Sequence, residues 1–205
     1  YNMKKQRICI IGDGLSGLTS ALALKNLQNI ELDLILNDTK KIGDTRTTAI
    51  SESNFKFLKT IIKNFDSTLD VQVLDTSART AKDAASSLKT EVGSIIKSLL
   101  LRTKNSFLLC LVAGDKRCSL NKIKKILNQK DISMASANQV KEITGFTIGG
   151  VSPVGHLEPI LIYIDKSLSR FDNIFAAAGH PNCIFKINFD NLCKITNGSI
   201  KDISE

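Results

Sequence analysis

The sequence of 205 residues contains no tryptophan and only two tyrosines. A surface that stacks bases on aromatic side chains needs more rings than this, so the composition argues against a single-strand-binding platform. The five cysteines include no Cys-x-x-Cys pair, and most of them stand among apolar neighbours. This pattern favours reduced thiols in a cytoplasmic protein over a disulfide framework or a zinc site, and we predict no metal.

Long apolar runs are also missing. None reaches the roughly 18 residues that would span a bilayer, and the short run that follows the basic start is too brief for a signal peptide. With 42% hydrophobic residues, the chain is long enough for one large domain, or one domain plus a fragment. We therefore expect a soluble cytoplasmic protein with no membrane partner. The net charge of +8 suits a polyanion such as nucleic acid without singling one out.

The first 36 residues resemble the opening of a dinucleotide-binding unit. The pattern predicts a strand over 7–11, a helix over 16–27 and a second strand over 30–36. The first turn carries a Gly-x-Gly-x-x-Gly pattern, formed by Gly12, Gly14 and Gly17. In such a unit the glycines let a pyrophosphate approach the backbone and the helix N-terminus. An acid about 20 residues further on, here Asp38, takes a ribose hydroxyl.

The letters GDTRTTAIS at residues 43–51 resemble the segment after the second strand in flavin-dependent aromatic-ring monooxygenases, especially those of ubiquinone biosynthesis. This resemblance covers residues 4–60 and then stops. Two strands and one helix cannot surround a flavin or bury both faces of a parallel sheet. We therefore expect residues 1–60 to be a truncated, Rossmann-like, non-functional FAD- or NAD-binding fragment, and we predict no cofactor. An FAD-dependent oxidoreductase is kept as the least favoured function.

The remaining residues, 61–205, predict a second domain with short strands mixed among short helices. This texture indicates a mixed α/β domain and not a doubly wound sheet. The apolar runs at 95–101 and 107–112, separated by the turn-like letters RTKNS, predict a β-hairpin. The other strands are predicted at 71–74, 160–164, 174–177 and 184–187, and the helices at 80–88, 119–129, 137–143 and 190–195.

Lys97 interrupts an apolar strand and shares a face with Leu99 and Leu101. If that face is buried, the ammonium is desolvated and needs a partner or a ligand. An edge-strand lysine that prevents aggregation explains the same pattern.

Four glycines, a serine and a proline lie within residues 145–156. Successive backbone N–H groups in such a loop can bind an anion or a carbonyl, although an ordinary tight connection also uses glycines. His180 follows a strand, where a structural histidine is more common than a catalytic one. Asp165 ends another strand, where helix capping is the simpler role. A lysine-rich stretch at 116–130 suits either a solvated helix face or contact with phosphates.

Taken in chain order, several motifs match one family. They are ARTAKDAA, IIKSLLL, LCLVAGDKR, SLNKIKKIL, ASANQVKEITGFTIGGVSPVGH, IYIDKSL and AAGHPN. From about residue 64 to the C-terminus they strongly resemble the YbaK/ProX family of aminoacyl-tRNA editing domains, which are related to the editing insertion of bacterial prolyl-tRNA synthetase. The resemblance implies a YbaK-like fold, with a mixed, partly barrel-like sheet and flanking helices.

The resemblance also implies the activity. Such domains hydrolyse wrongly charged tRNA, mostly tRNA(Pro) carrying alanine, cysteine or a similar small residue, because a synthetase pocket cannot strongly reject an amino acid that is smaller or isosteric. The implied partners are the aminoacylated 3′ end of a tRNA and prolyl-tRNA synthetase. A module that binds tRNA or aminoacyl-adenosine without hydrolysing it is the main alternative.

By this resemblance Lys97 is the family's essential lysine, placed to hold the terminal adenosine phosphate or the ester. Gly149, Gly150 and Ser152 would join it, with backbone donors directed at the scissile carbonyl and its developing oxyanion. The ribose hydroxyl of the tRNA and a water would carry the protons, so that catalysis is mostly positioning. The implied substrate-binding residues are Val151, Pro153, Gly155, His156, Asp165, Gly179 and His180.

One departure concerns the amino acid that is removed. Family members that act on Cys-tRNA(Pro) typically carry a Gly-x-Asp pattern soon after the letters AG of this region. Here the corresponding residues are Asn182, Cys183 and Ile184, with no acid. We therefore expect another small acyl group in place of cysteine.

Overall fold

The computed structural model describes residues 6–11, 15–25, 30–35, 52–74 and 80–205, and the structural statements below concern these residues. They form ten strands and six α-helices. The strands are β1 (Gln6–Ile11), β2 (Ile30–Ile35), β3 (Val71–Val73), β4 (Ile96–Arg102), β5 (Phe107–Ala113), β6 (Ser133–Met134), β7 (Leu161–Asp165), β8 (Ile174–His180), β9 (Cys183–Ile187) and β10 (Ser199–Lys201). The helices are α1 (Leu15–Leu24), α2 (Glu52–Phe65), α3 (Ala81–Leu88), α4 (Leu120–Leu127), α5 (Ala137–Thr144) and α6 (Phe189–Thr196).

The first three elements form the βαβ unit that the sequence predicts. Strands β1 and β2 pair in parallel, with α1 between them in the chain. Gly12, Gly14 and Asp38 lie outside the described residues, and Gly17 falls within α1. That these four residues belong to a non-functional remnant of a dinucleotide-binding unit therefore stays a prediction.

The rest of the chain forms a mixed α/β domain, as predicted. A five-stranded sheet has the order β10-β7-β5-β4-β6, and a three-stranded sheet has the order β3-β9-β8. The hairpin of β4 and β5 is antiparallel, whereas β7 pairs in parallel with both β5 and β10. The hairpin turn is closed by Thr103, whose hydroxyl donates to the Ser106 carbonyl at 2.9 Å.

One edge of β4 explains why the described strands do not form the partly barrel-like sheet that the sequence analysis expected. At its C-terminal end this edge pairs with β6, through Leu101 and Arg102. At its N-terminal end it meets the three-stranded sheet through a single bridge, between Ile95 and Phe175. No described strand covers the edge between these two points, so the two sheets remain open.

Two apolar cores lie on opposite faces of the five-stranded sheet. Along β4, Ile96 and Leu100 belong to the main core, and Leu101 belongs to the second core under α4. Helix α2 contributes Leu58 and Ile62 to the main core, each only 1% exposed. The domain boundary predicted at residue 60 thus falls inside α2, and we propose a boundary before this helix instead.

The N-terminal unit also packs against the main core. Leu22 of α1 is buried there, and a side chain added at Gly145 would come within 3.2 Å of its Cδ2 atom. The ammonium of Lys25 donates to the His156 carbonyl. The N-terminal unit therefore contacts both ends of the glycine-rich segment 145–156.

Candidate active site

A cavity of about 320 Å³ opens at the uncovered edge of β4, between this strand and β8. Its floor comes from the strand, one wall from the first turn of α3, and the opposite wall from the glycine-rich loop. The lining is mainly apolar and consists of Thr80, Ala81, Ala84, Ile95, Ile96, Lys97, Ser98, Leu99, Ile148, Gly149, Val151, Phe175, Ala177, Pro181 and Ile184. A concave apolar site with a few polar groups is typical of small-ligand binding.

Lys97 of β4 is half-buried at the floor of this cavity. Its ammonium donates to the backbone carbonyl of Lys116 in the turn after β5. Burial lowers the pKa of Lys97 below its ordinary value, and the nearby Asp115 carboxylate opposes this effect in part. Asp115 itself is paired with Arg170, at 2.8 Å. The amine is therefore a partly desolvated cation held by a carbonyl at the edge of the cavity.

The turn that receives the ammonium is fixed by the end of the chain. Arg117 and Glu205 exchange two backbone hydrogen bonds, of 3.0 and 2.9 Å. The Ser119 amide donates to the Ile203 carbonyl at 2.8 Å. The position of the Lys116 carbonyl thus depends on residues far along the sequence.

Asp165 is fully buried, but it is not among the residues that line the cavity. Its carboxylate accepts from the Ile203 amide at 3.0 Å, from the Ser204 hydroxyl at 2.9 Å and from the Ser167 amide at 3.1 Å. The last of these contacts caps the short 3-10 helix Lys166–Arg170. The structure gives Asp165 the capping role and assigns its oxygens to the protein's own groups, which argues against the substrate contact implied by the resemblance.

The glycine-rich loop contributes Gly149 and Val151 to the cavity. Gly149 has a φ of +88°, and a Cβ atom there would meet nothing closer than 3.7 Å. Gly150 lies behind it, where a Cβ atom would come within 2.9 Å of the His180 Cα atom. The Gly150 amide donates to the Thr147 carbonyl at 2.9 Å. This amide is therefore already engaged within the loop, whereas we expected it to face the substrate.

The other loop residues brace the loop from behind. Ser152 is fully buried, and its hydroxyl accepts from the Val154 amide at 3.3 Å. Its carbonyl accepts from His156 Nε2 at 2.7 Å. His156 packs edge-on against Phe146, with 6.3 Å between the ring centroids. Burial lowers the pKa of His156 to about 4, so the ring is neutral near pH 7.

The remaining predicted residues also lie in the layer of residues that packs behind the glycine-rich loop. Pro153 is buried, and Gly155, with a φ of +80°, packs against Ile61 of α2. Gly179 is positioned between α2 and Phe146, and His180 Nδ1 accepts from the Asn182 amide at 3.1 Å. Of the site residues predicted within 61–205, Lys97, Gly149 and Val151 line the cavity, and the others except Asp165 lie in the layer behind it.

Sequence reasoning missed Ser98, which lies next to Lys97 and lines the same cavity. A polar residue inside an otherwise apolar strand was the signal that could have revealed it. It also missed the small side chains of α3, Ala81 and Ala84, which leave room for the cavity.

The described residues show neither a metal site nor a membrane-spanning helix. No group of three or more His, Cys, Asp or Glu side chains among them could hold a metal ion. No helix in the described ranges is both long and apolar enough to cross a membrane.

Comparisons with known proteins agree on one family. The sequence model of the aminoacyl-tRNA editing domain matches residues 75–195. The protein YwhH of Bacillus subtilis is 32% identical over 135 residues, which are 65% of this chain and 85% of YwhH. A protein of Enterococcus faecalis, named as a candidate Cys-tRNA(Pro)/Cys-tRNA(Cys) deacylase, EbsC, is 25% identical over 125 residues, which are 60% of this chain and 76% of EbsC.

A solved structure described as a candidate trans-editing enzyme for prolyl-tRNA synthetase superimposes with a TM-score of 0.71 and 34% identity, covering 77% of this chain and 99% of that chain. The chain also matches proline–tRNA ligases, but it spans only 16% of the length of the one from Kosmotoga olearia. The family match gives no support to the flavoprotein resemblance of residues 4–60. Because it extends over more than half of the chain, and because the fold agrees, this chain belongs to the aminoacyl-tRNA editing domain family.

Proposed function

We propose that this protein is an aminoacyl-tRNA deacylase that acts in trans. Its substrate is the ester between a small non-cognate amino acid and the 3′ end of a tRNA, with tRNA(Pro) as the first candidate. The observation that carries the proposal is the cavity in which Lys97 meets Gly149 and Val151, in a chain of the editing family.

In the proposed reaction water adds to the ester carbonyl, and the bond to the ribose oxygen breaks. The ribose oxygen takes up a proton, so that the products are the free amino acid and uncharged tRNA. The Lys97 ammonium stabilises the negative charge that develops on the ester or on the adjoining phosphate. Gly149 has no side chain to block the approach of the ester to the main chain.

The walls suit a small, uncharged amino acid side chain. Ala81, Ala84 and Ala177 contribute methyl groups, and among the described residues of the lining Lys97 is the single charged one. A cavity of this kind discriminates by size, which is what a second sieve behind a synthetase requires. We propose alanine or 2-aminobutyrate as the preferred acyl group, with cysteine as the alternative, because EbsC is named for cysteine.

The net charge of +8 supports binding to tRNA phosphates. Part of this charge is paired within the protein, since Lys122 and Lys166 both contact Asp202, at 2.6 and 2.9 Å. Salt dependence of the reaction would report how many phosphates are contacted.

The test is a deacylation panel with tRNA(Pro) carrying alanine, cysteine, serine, 2-aminobutyrate or proline. We expect faster release than in buffer for at least one small non-cognate residue and no acceleration for the cognate proline ester. The Lys97→Ala variant serves as the control for a contaminating hydrolase. No acceleration on any member of the panel would reject the proposal.

One observation favours the alternative of a binding module. The Gly150 amide, the Ser152 hydroxyl and the His156 ring are all engaged within the protein. The loop would then hold an aminoacyl-adenosine end without activating it. Tight binding of the aminoacylated tRNA with no turnover on the panel would identify this function.

A further inference from the structure

Among the described residues, one buried side-chain oxygen has no hydrogen-bond partner, and its residue lines the cavity. The Ser98 hydroxyl oxygen is buried and forms no hydrogen bond with any described residue. A buried hydroxyl that is left unpaired destabilises a fold, and alanine or valine would fill this strand position at a lower free energy. An unpaired hydroxyl beside a cavity has lone pairs with which to accept a hydrogen bond from a polar ligand group.

The strand pattern determines where this hydroxyl points. Ser98 shares its face of β4 with Ile96 and Leu100, which both belong to the main core. The same core includes Val151 of the glycine-rich loop, which also lines the cavity. Ser98 is thus the polar interruption of an apolar stripe on the loop side of the strand, whereas Lys97 belongs to the other face; both residues line the cavity.

Among the described residues of the lining, the other polar side chains are either engaged already or have no acceptor. The Thr80 hydroxyl is used in a capping box, where it donates to Asp83 Oδ2 at 2.8 Å and accepts from the Asp83 amide at 3.2 Å. The Lys97 ammonium has protons to donate and no lone pair. Among the described residues that line the cavity, Ser98 therefore supplies the one uncommitted side-chain oxygen.

An aminoacyl ester brings a donor that needs such an oxygen. Its α-amino group carries N–H protons, and the Lys97 ammonium would repel the charged form. We propose that Ser98 is a substrate-binding residue whose hydroxyl oxygen accepts a hydrogen bond from the α-amino group of the aminoacyl ester. This inference rests on the proposed deacylase function and adds a residue that orients the ester from the loop side of β4.

The test compares Ser98→Ala with Ser106→Ala in the full chain. Ser98→Ala should lower kcat/KM about tenfold on the best substrate of the panel, which is the upper range for one neutral hydrogen bond. Its urea midpoint should stay the same or rise, because an unpaired hydroxyl has been removed. Ser106→Ala removes a hydroxyl that is paired with Thr103 in the hairpin turn. It should lower the urea midpoint and leave kcat/KM unchanged.

The deamino analogue of the same ester identifies the group that Ser98 contacts, for example propionyl-tRNA in place of alanyl-tRNA. If the hydroxyl binds the α-amino group, Ser98→Ala should change the rate on the analogue by less than twofold, as in a double-mutant cycle. An equal loss on both esters, or no loss on either, would overturn the inference while leaving the deacylase function intact. Failure of the wild-type chain on every ester would overturn both.

A second pair of variants covers a folding defect in Ser98→Ala. Ser98→Thr and Ser98→Val have nearly the same shape and differ in the hydroxyl. The threonine variant should retain more activity than the valine variant at matched folded concentration. Equal activity of the two variants would also overturn the inference.

Discussion

Replacing Lys97 by methionine tests the central residue of the proposed site. Methionine keeps the length of the side chain and removes its charge. A hydrogen bond to a charged group contributes about 1.5–3 kcal/mol, and removing one oxyanion donor in an enzyme site costs about 10²- to 10³-fold in rate. Because the Lys97 ammonium is only half-buried and is partly screened, we expect the lower end of this range, a fall in kcat/KM of about 100-fold.

The fold should tolerate this change. The variant removes a partly desolvated ammonium, which favours folding, and leaves the Lys116 carbonyl without its donor, which opposes it. These two effects have opposite signs, so we expect a change of less than about 1 kcal/mol in the free energy of unfolding. Activity should therefore be lost from a molecule that is still folded.

The assay is release of labelled amino acid from the best substrate of the panel under single-turnover conditions. Lys56→Met is the matched control, since Lys56 lies on the exposed side of α2, pairs with Glu52, and carries the same unit charge. Burial lowers the pKa of Lys97, so the catalysed rate above background should decline as pH rises through that lowered pKa. Equal rates for Lys97→Met and the wild type would refute the role of this amine.

Four further variants test the packing around the cavity and of the N-terminal unit. Gly150→Ala places a methyl group 2.9 Å from the His180 Cα atom, so it should cost about 1–3 kcal/mol of stability and most of the activity. Gly149→Ala makes only an ordinary contact with Pro181 at 3.7 Å, so its cost in stability should be about 1 kcal/mol of backbone strain. Urea unfolding and deacylation rates measure both variants. Burial lowers the pKa of His156 from 6.5 to about 4, so the unfolded chain binds a proton that the folded chain does not. Stability from this residue is therefore fully present above pH 6.5 and falls by about 3 kcal/mol as pH drops to 4, and a His156→Gln variant should show a flatter urea midpoint over that interval. Leu22→Ala should destabilise the whole chain by about 2–4 kcal/mol if α1 shares the main core, and an unchanged thermal midpoint would show that the N-terminal unit packs independently.

Elements with strong local signals were predicted well from the sequence. The hairpin of β4 and β5 was expected at 95–101 and 107–112 and lies at Ile96–Arg102 and Phe107–Ala113. Helix α5 begins after Ser136, in a capping box with Gln139, and ends at Gly145 with a φ of +78°. Caps, turn residues and apolar periodicity act within a few residues, so the sequence displays them directly.

Long-range pairing was beyond the same reasoning. Nothing local shows that β7 pairs with β5 in parallel, or that the edge of β4 stays open between Ile95 and Leu100. The short strand β10 and helix α2 were also not predicted, the latter because residues up to 60 were assigned to another unit. The cavity depends on this open edge, which is why Ser98 became visible only in the structure.

The roles of the loop residues show the same difference between local sequence signals and long-range contacts. Sequence motifs identified the correct segment, and the structure places Gly149 and Val151 at the cavity. Contacts between distant elements, such as that of Gly150 with His180, decide which backbone and side-chain groups of that segment remain accessible to a ligand. The motif therefore pointed to residues that line the cavity, and packing determined which of its atoms are already engaged.

The carboxylate of Asp165 has an effect that extends well beyond its own contacts. It holds Ile203 and Ser204, and the C-terminal segment in turn fixes the turn whose Lys116 carbonyl receives the Lys97 ammonium. The direction of the amine is thus set during folding, before any ester arrives, and little ordering of this side chain is left for the binding step. Under the proposed function, a carboxylate outside the cavity would thus preorganise the ammonium that stabilises the ester.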